Sequence, residues 1–168
     1  MAILTKNEKY IVEMYVRYFG KAPSVAEIAK YNEFGEPKLI LTEIIGDADD
    51  SNAGLTTKEF VNSAFQNLFG RNATTKEMNK YSKVVDKGKD LPINSIVKSA
   101  ARVDKAVYDN KIAVALKYAE LGGTKQLDLS KISKGNLIDL NFLNTVTKAA
   151  DLKAKIDALP ENSNVPSA

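Results

Sequence analysis

The densest set of hard oxygen ligands in the chain is Asp47-Ala48-Asp49-Asp50-Ser51-Asn52-Ala53-Gly54. Asp47, Asp49, Asp50 and Asn52 place carboxylates and a carboxamide in one short stretch, the donor chemistry that suits Ca2+. The spacing departs from an EF-hand. Counting from Asp47, the sixth position is Asn52 where that loop takes Gly, and the twelfth is Lys58 where it takes Glu. The other reading is a solvated Asx-rich turn that caps the following helix. A second kind of chemistry is offered by aromatic residues beside bases. Tyr15, Arg17, Tyr18 and Lys21 form one such set, and Arg71, Lys80 and Tyr81 another. Aromatic faces stack on sugar rings, and basic side chains bond hydroxyls or anionic sugars, so both sets are candidate glycan contacts. Against this, alternate aromatics are ordinary core and bases are ordinary solvated helix faces.

Enzymatic chemistry has little to draw on. The chain has no Cys and no His. That excludes disulfides, thiolate nucleophiles, Cys/His zinc sites, iron–sulfur clusters, His-ligated haem and His-dependent triads. Dinucleotide-binding, P-loop, nucleophile-elbow and zinc-protease motifs are absent. The chain therefore reads as non-enzymatic. A cleft with two close carboxylates, one of raised pKa, would favour a glycan-active enzyme instead. A flat apolar patch would favour a protein–protein adaptor.

Charge narrows the partners. The 168 residues carry 24 bases and 21 acids, for a net charge of +3. The signs are interspersed, and Arg71 with Lys76, Lys80, Lys83, Lys87 and Lys89 is the only basic stretch. This balance excludes nucleic acid as a partner. No apolar run approaches the ~18 residues needed to span a bilayer, and no basic amphipathic helix with Trp suggests membrane insertion. The first residues lack a Sec-type signal, so export would use a route without one. Zero cysteine leaves the compartment open.

The elements that must position these residues read as helix after helix. Thr5 with Glu8, Ser24 with Glu27, Thr56 with Glu59 and Thr74 with Glu77 are capping boxes. Apolar residues follow at three- and four-residue spacing, as in Tyr10, Ile11, Met14, Tyr15, Tyr18 and Phe19. Gly20, Gly35, Gly46, Gly70, Gly88 and Gly122 mark helix ends, and Pro37 and Pro92 mark starts. Asp47–Leu55 is expected as a polar loop. Asp104 is expected to cap a long seventh helix, Thr124–Gly135 to be irregular, and Asn136–Phe142 to be a short helix or extended. Thr147–Leu159 is expected as the last helix, with 160–168 a linker or tail. No hairpin alternation is present.

The chain also repeats itself. Shifted by 50 residues, Phe19-Gly20-Lys21 falls on Phe69-Gly70-Arg71. Tyr15 falls on Phe65, Ser24 on Thr74, Glu27 on Glu77 and Tyr31 on Tyr81. The fold class is thus all-α: a multi-helix bundle of two helical repeats (about 5–46 and 56–101) plus a C-terminal helical extension (104–159). Glu27 and Glu77 serve as caps and not as a catalytic pair.

This repeat resembles one found in large secreted bacterial surface proteins, where a helix ends in an aromatic-aromatic-Gly-basic-x-Pro element. Tyr18-Phe19-Gly20-Lys21-Ala22-Pro23 matches that element, and Leu68-Phe69-Gly70-Arg71-Asn72-Ala73 matches it without the proline. Tyr108–Tyr118 and Val146–Asp157 are similar to helices that follow such repeats. The resemblance, to S-layer and RTX-like proteins of type I secretion, covers about residues 5–158. It implies an N-terminal anchoring domain at the outer face of the outer membrane that binds lipopolysaccharide O-polysaccharide, with neighbouring copies as further partners in a lattice. It also implies a longer native chain, because calcium nonapeptides and a C-terminal secretion signal are lacking. A chain that is complete at this length and not exported would instead be cytoplasmic. The alternative function is a helical protein–protein adaptor without glycan.

Overall fold

Four helices start with the same reciprocal device. Thr5, Ser24, Thr56 and Thr74 each accept the backbone N–H of the glutamate three residues on, whose carboxylate accepts the cap residue's own N–H. The computed structural model, which describes residues 1–165, has these caps opening α1 (Lys6–Phe19), α2 (Val25–Asn32), α4 (Thr57–Phe69) and α5 (Thr75–Asp86). The remaining helices are α3 (Pro37–Ser51), α6 (Ile93–Lys98), α7 (Arg102–Glu120), α8 (Leu140–Thr145) and α9 (Ala149–Asp157). The described residues are thus mainly helical, as an all-α bundle requires. Their one sheet is a two-residue antiparallel ladder of β1 (Lys21–Ala22) on β2 (Leu127–Asp128).

Several boundaries differ from the sequence reading. The expected loop Asp47–Leu55 is helical to Ser51, with Asn52 as the C-cap. Gly46 does not stop α3, because the next turn buries Ala48 beside Ile44. A glycine inside a helix costs only about 1 kcal/mol, which such burial offsets. Ala101, not Asp104, stands at the N-cap of α7. Asp104 lies in the first turn, where a carboxylate meets the positive end of the helix dipole. Asp139 caps α8, whose helix starts at Leu140 instead of Asn136. The segment 124–135 is irregular but not peripheral, since Leu127, Leu129 and Ile132 are buried.

Two apolar cores follow the two repeats. The first gathers α1, α2, α3, the inner side of α7, the 127–132 segment, α8 and α9. The second gathers α4, α5, α6 and Tyr108 of α7. Tyr18 and Ile112 pack against both, so α1 and α7 weld the halves. The repeat is visible in three dimensions. Tyr15 packs on Phe19 and Tyr31, and their counterparts Phe65, Phe69 and Tyr81 pack together in the second repeat.

The turn after each first helix needs glycine. Gly20 and Gly70 have φ of +68° and +63°, a left-handed conformation that only glycine adopts without strain. A Cβ on Gly70 would also collide with the Ile132 carbonyl, and one on Gly20 with the Asn67 side chain. The chain passes there at contact distance, which is why Phe-Gly-basic recurs.

The expected tail is not detached over its described part. Asn162 Nδ2 donates to Gly70 O at 2.8 Å and Ser130 O at 3.1 Å, and Asn136 Nδ2 donates to Pro160 O at 3.0 Å. Residues 160–165 form a strap across the end of α4. Residues 166–168 of the expected tail lie outside the described residues.

Candidate functional site

The seam between the repeats opens into a cleft of about 310 Å3. The end of α1 contributes Tyr18, the end of α3 contributes Asp49 and Asn52, and α4 contributes Phe60, Ser63 and Asn67. The α5–α6 connection closes it with Lys89, Asp90 and Leu91. Arg17 forms part of the wall, and each of its three guanidinium nitrogens makes a hydrogen bond. Nε donates to the Tyr108 hydroxyl at 2.7 Å, Nη1 to Asn94 Oδ1 at 2.6 Å and Nη2 to Glu13 at 3.1 Å. Arg17 therefore ties α1 to α6 and α7 and holds the cleft in shape. These contacts make it a positioning residue of the cleft wall.

The lining combines half-buried aromatic surface with planar polar groups. Burial raises the Tyr18 phenol, so its hydroxyl is a neutral donor and acceptor at ordinary pH. Asn67 Nδ2 donates a long hydrogen bond to the Tyr18 carbonyl at 3.4 Å, and its Oδ1 lies against Gly20. Asp49 is held above the ordinary carboxylate range, first by desolvation at the cleft wall and then by Asp90 and Asp50. Neither Asp49 nor Asp90 is in an ion pair among the described residues. Such a cleft matches a sugar ring: an apolar face for C–H groups, and amides, hydroxyls and carboxylates for the equatorial hydroxyls.

The candidate residues divide as follows. Tyr18 lines the cleft, whereas Tyr15 is interior at 2% exposure. The Tyr15 ring stacks on Phe19 at 4.4 Å, and its hydroxyl donates to Glu27 at 2.6 Å, so it offers no face to a ligand. Lys21 is exposed and belongs to a separate pocket. The second set is structural. Arg71 bonds Glu77 through both terminal nitrogens at 2.7 and 3.0 Å and Asp104 at 2.8 and 2.9 Å, with its guanidinium over Phe65 and Phe69. Tyr81 packs 5.8 Å from Phe65, and Lys80 lies across the Tyr81 ring.

The proposed calcium ligands do not converge. On a helix, Asp47 and Asp49 point roughly 200° apart. Asp47 turns to α2, accepting the Tyr31 hydroxyl at 2.7 Å and Lys30 Nζ at 3.2 Å. The Tyr31 bond, then Lys30, holds the Asp47 carboxyl below its ordinary range. Asp49 and Asn52 line the cleft instead, and Asp49 and Asp50 are both exposed. Among the described residues, no group of three or more His, Cys, Asp or Glu is arranged to hold a metal. Phe60, Asn67 and Asp90 were not anticipated as site residues. They come from distant segments, and only the 50-residue repeat offset, which places α4 against α1, hints that they meet.

Comparison with protein-family models, with curated proteins and with solved structures returned no match. No helix among the described residues is long and apolar enough to cross a membrane.

Proposed function

We propose that this chain is a non-enzymatic glycan-anchoring domain, and that the cleft between its repeats holds sugar residues of the O-polysaccharide of bacterial lipopolysaccharide. The observation that carries this reading is the cleft lining. Tyr18 and Phe60 stand beside Asn52, Asn67, Asp49 and Asp90 in a cleft of about 310 Å3. The resemblance of the Phe-Gly-basic repeat to that of S-layer and RTX-like surface proteins supports the choice of a surface polysaccharide. In such a setting the domain acts outside the cell, and copies of it are neighbours in a lattice. Asp47 is committed to Tyr31 and Lys30 and is not part of this site.

The test is co-sedimentation of the chain with smooth lipopolysaccharide and with rough lipopolysaccharide that lacks O-polysaccharide. Saturable binding to the smooth form alone supports the reading. Equal binding to both, or to neither, overturns it.

One observation favours a second reading. Asp49 and Asp90 line the same cleft, and Asp49 is shifted toward its protonated form. An acid with a partner carboxylate is what glycosidic-bond hydrolysis needs. Release of reducing ends from the polysaccharide, lost in Asp49→Asn, would replace the anchor with a hydrolase.

A further inference from the structure

A second pocket, of about 290 Å3, lies at the end of α4 beneath the C-terminal strap. Three lysines from three elements converge on it. Lys111 of α7 is completely buried, and its Nζ donates to the carbonyls of Gln66 at 3.0 Å and Asn67 at 3.2 Å. These belong to the last turn of α4, the negative end of that helix dipole. Lys111 has no ion pair among the described residues. A buried cation without a carboxylate partner is a costly arrangement. Lys21, exposed at β1, and Lys131 stand at the mouth.

Carboxylates are fewer. Asp128 lines the pocket and accepts the Ser130 N–H at 2.9 Å. Glu161 belongs to the strap, is 86% exposed, and lies 3.7 Å from Lys131 Nζ. Lys131 also donates to the Asp157 carbonyl at 2.9 Å. Polar contacts through Asn136, Asn162 and Asn164 hold the strap, which adds no residue to either apolar core. Segments held this way open at small cost.

We propose that this pocket is a binding site for an oxyanion, a carboxylate or phosphate group, and that Glu161 at its rim is a weak competitor for Lys131. Glu161 already stands largely in solvent, so within the pocket Lys21, Lys111 and Lys131 face Asp128. Lys21 and Lys131 touch the incoming anion. Lys111 sits under the floor and keeps the potential positive while remaining out of contact. Free phosphate and an acidic sugar of a polysaccharide share this chemistry. The site shares Asn67 in its wall with the inter-repeat cleft but uses none of Tyr18, Asp49 or Asn52, so the lysine-pair variant separates its failure from failure of the function proposed there.

The test is calorimetric titration of the full chain with inorganic phosphate and, separately, with glucuronate, alongside amide chemical-shift mapping. Glu161→Gln is expected to bind about threefold more tightly than the unmodified chain, as for loss of one exposed competing charge. Lys21→Ala combined with Lys131→Ala is expected to bind about tenfold more weakly, with both variants melting as the parent does. Shifts should centre on residues 20–22, 128–131 and 161–165. A preference for phosphate identifies the free ion as ligand, and a preference for glucuronate identifies an acidic sugar. No saturable binding by any form, or affinity indifferent to the lysine pair, or weaker binding by Glu161→Gln, overturns the proposal.

Discussion

Lys111→Met removes an ammonium that the fold buries completely, and its consequence depends on pH in a direction that can be worked out. Burial pushes the Lys111 amine down to about 8 from an ordinary 10.5, with Asp128 opposing the shift. Below pH 8 the amine is protonated in both folded and unfolded chains, and the full desolvation penalty acts against folding. Between pH 8 and 10.5 the unfolded chain holds more protons than the folded one, so stability rises with pH. Above 10.5 the penalty is gone. Each unit of displacement is worth about 1.4 kcal/mol, so the unmodified chain gains about 2 to 3 kcal/mol relative to Lys111→Met between pH 7 and pH 10. The neutral amine still donates to the Gln66 and Asn67 carbonyls, so deprotonation leaves no acceptor orphaned. Tyr15, Tyr31 and Tyr108 are all pushed up by burial and oppose folding only above their ordinary range. They are common to both proteins and cancel in the difference. The assay is urea unfolding followed by circular dichroism at intervals across this range. A stability difference that stays flat, or that moves against the unmodified chain as pH rises, would refute the reasoning.

Arg71→Ala should destabilise the chain by about 2 to 3 kcal/mol in the same assay, because Glu77 and Asp104 lose their shared cation and Phe65 and Phe69 lose its stacking. Restoration by Lys should be incomplete, since Lys cannot reproduce the forked contacts. Gly70→Ala combines a left-handed backbone with a collision against the Ile132 carbonyl and should cost more than about 2 kcal/mol. Gly35→Ala, with φ of +78° but open space around it, should cost only about 1 kcal/mol. Chelator should leave the melting temperature unchanged, because Asp47 and Asp49 diverge on α3; a rise on adding calcium that Asp47→Asn abolishes would contradict this.

The starts of α1, α2, α4 and α5 were legible in the sequence because each depends on a local exchange. Thr5 with Glu8 or Thr74 with Glu77 needs nothing beyond four residues of chain. The Phe-Gly-basic turns were legible because the repeat shows each position twice. Helix ends were less so. Gly46 reads as a stop, and only the burial of Ala48 against the core explains why α3 continues. The 124–135 segment shows no periodicity, yet its leucines and Ile132 fill the first core, since irregular backbone can bury side chains that no pattern predicts. The roles of the basic residues were hidden for a related reason. Arg17 and Arg71 look like free surface charges until their partners, Tyr108, Asn94 and Asp104, arrive from 33 or more residues away. The cleft itself joins four segments, so its parts were visible singly, as with Tyr18, Asp49 and Asn52, but not as one site.

The central claim is that the inter-repeat cleft is what grips the polysaccharide. The most direct measurement compares the unmodified chain with Asn67→Ala and Asn52→Ala in co-sedimentation with smooth lipopolysaccharide. Both amides line the cleft and neither belongs to the apolar cores; Asn67 also walls the strap pocket and bonds the Tyr18 carbonyl, so Asn52→Ala is the cleaner variant. Loss of one or two ligand hydrogen bonds predicts binding about tenfold weaker in each variant, with the melting temperature little changed. Undiminished binding by both variants would contradict the account and move the glycan contact away from the seam.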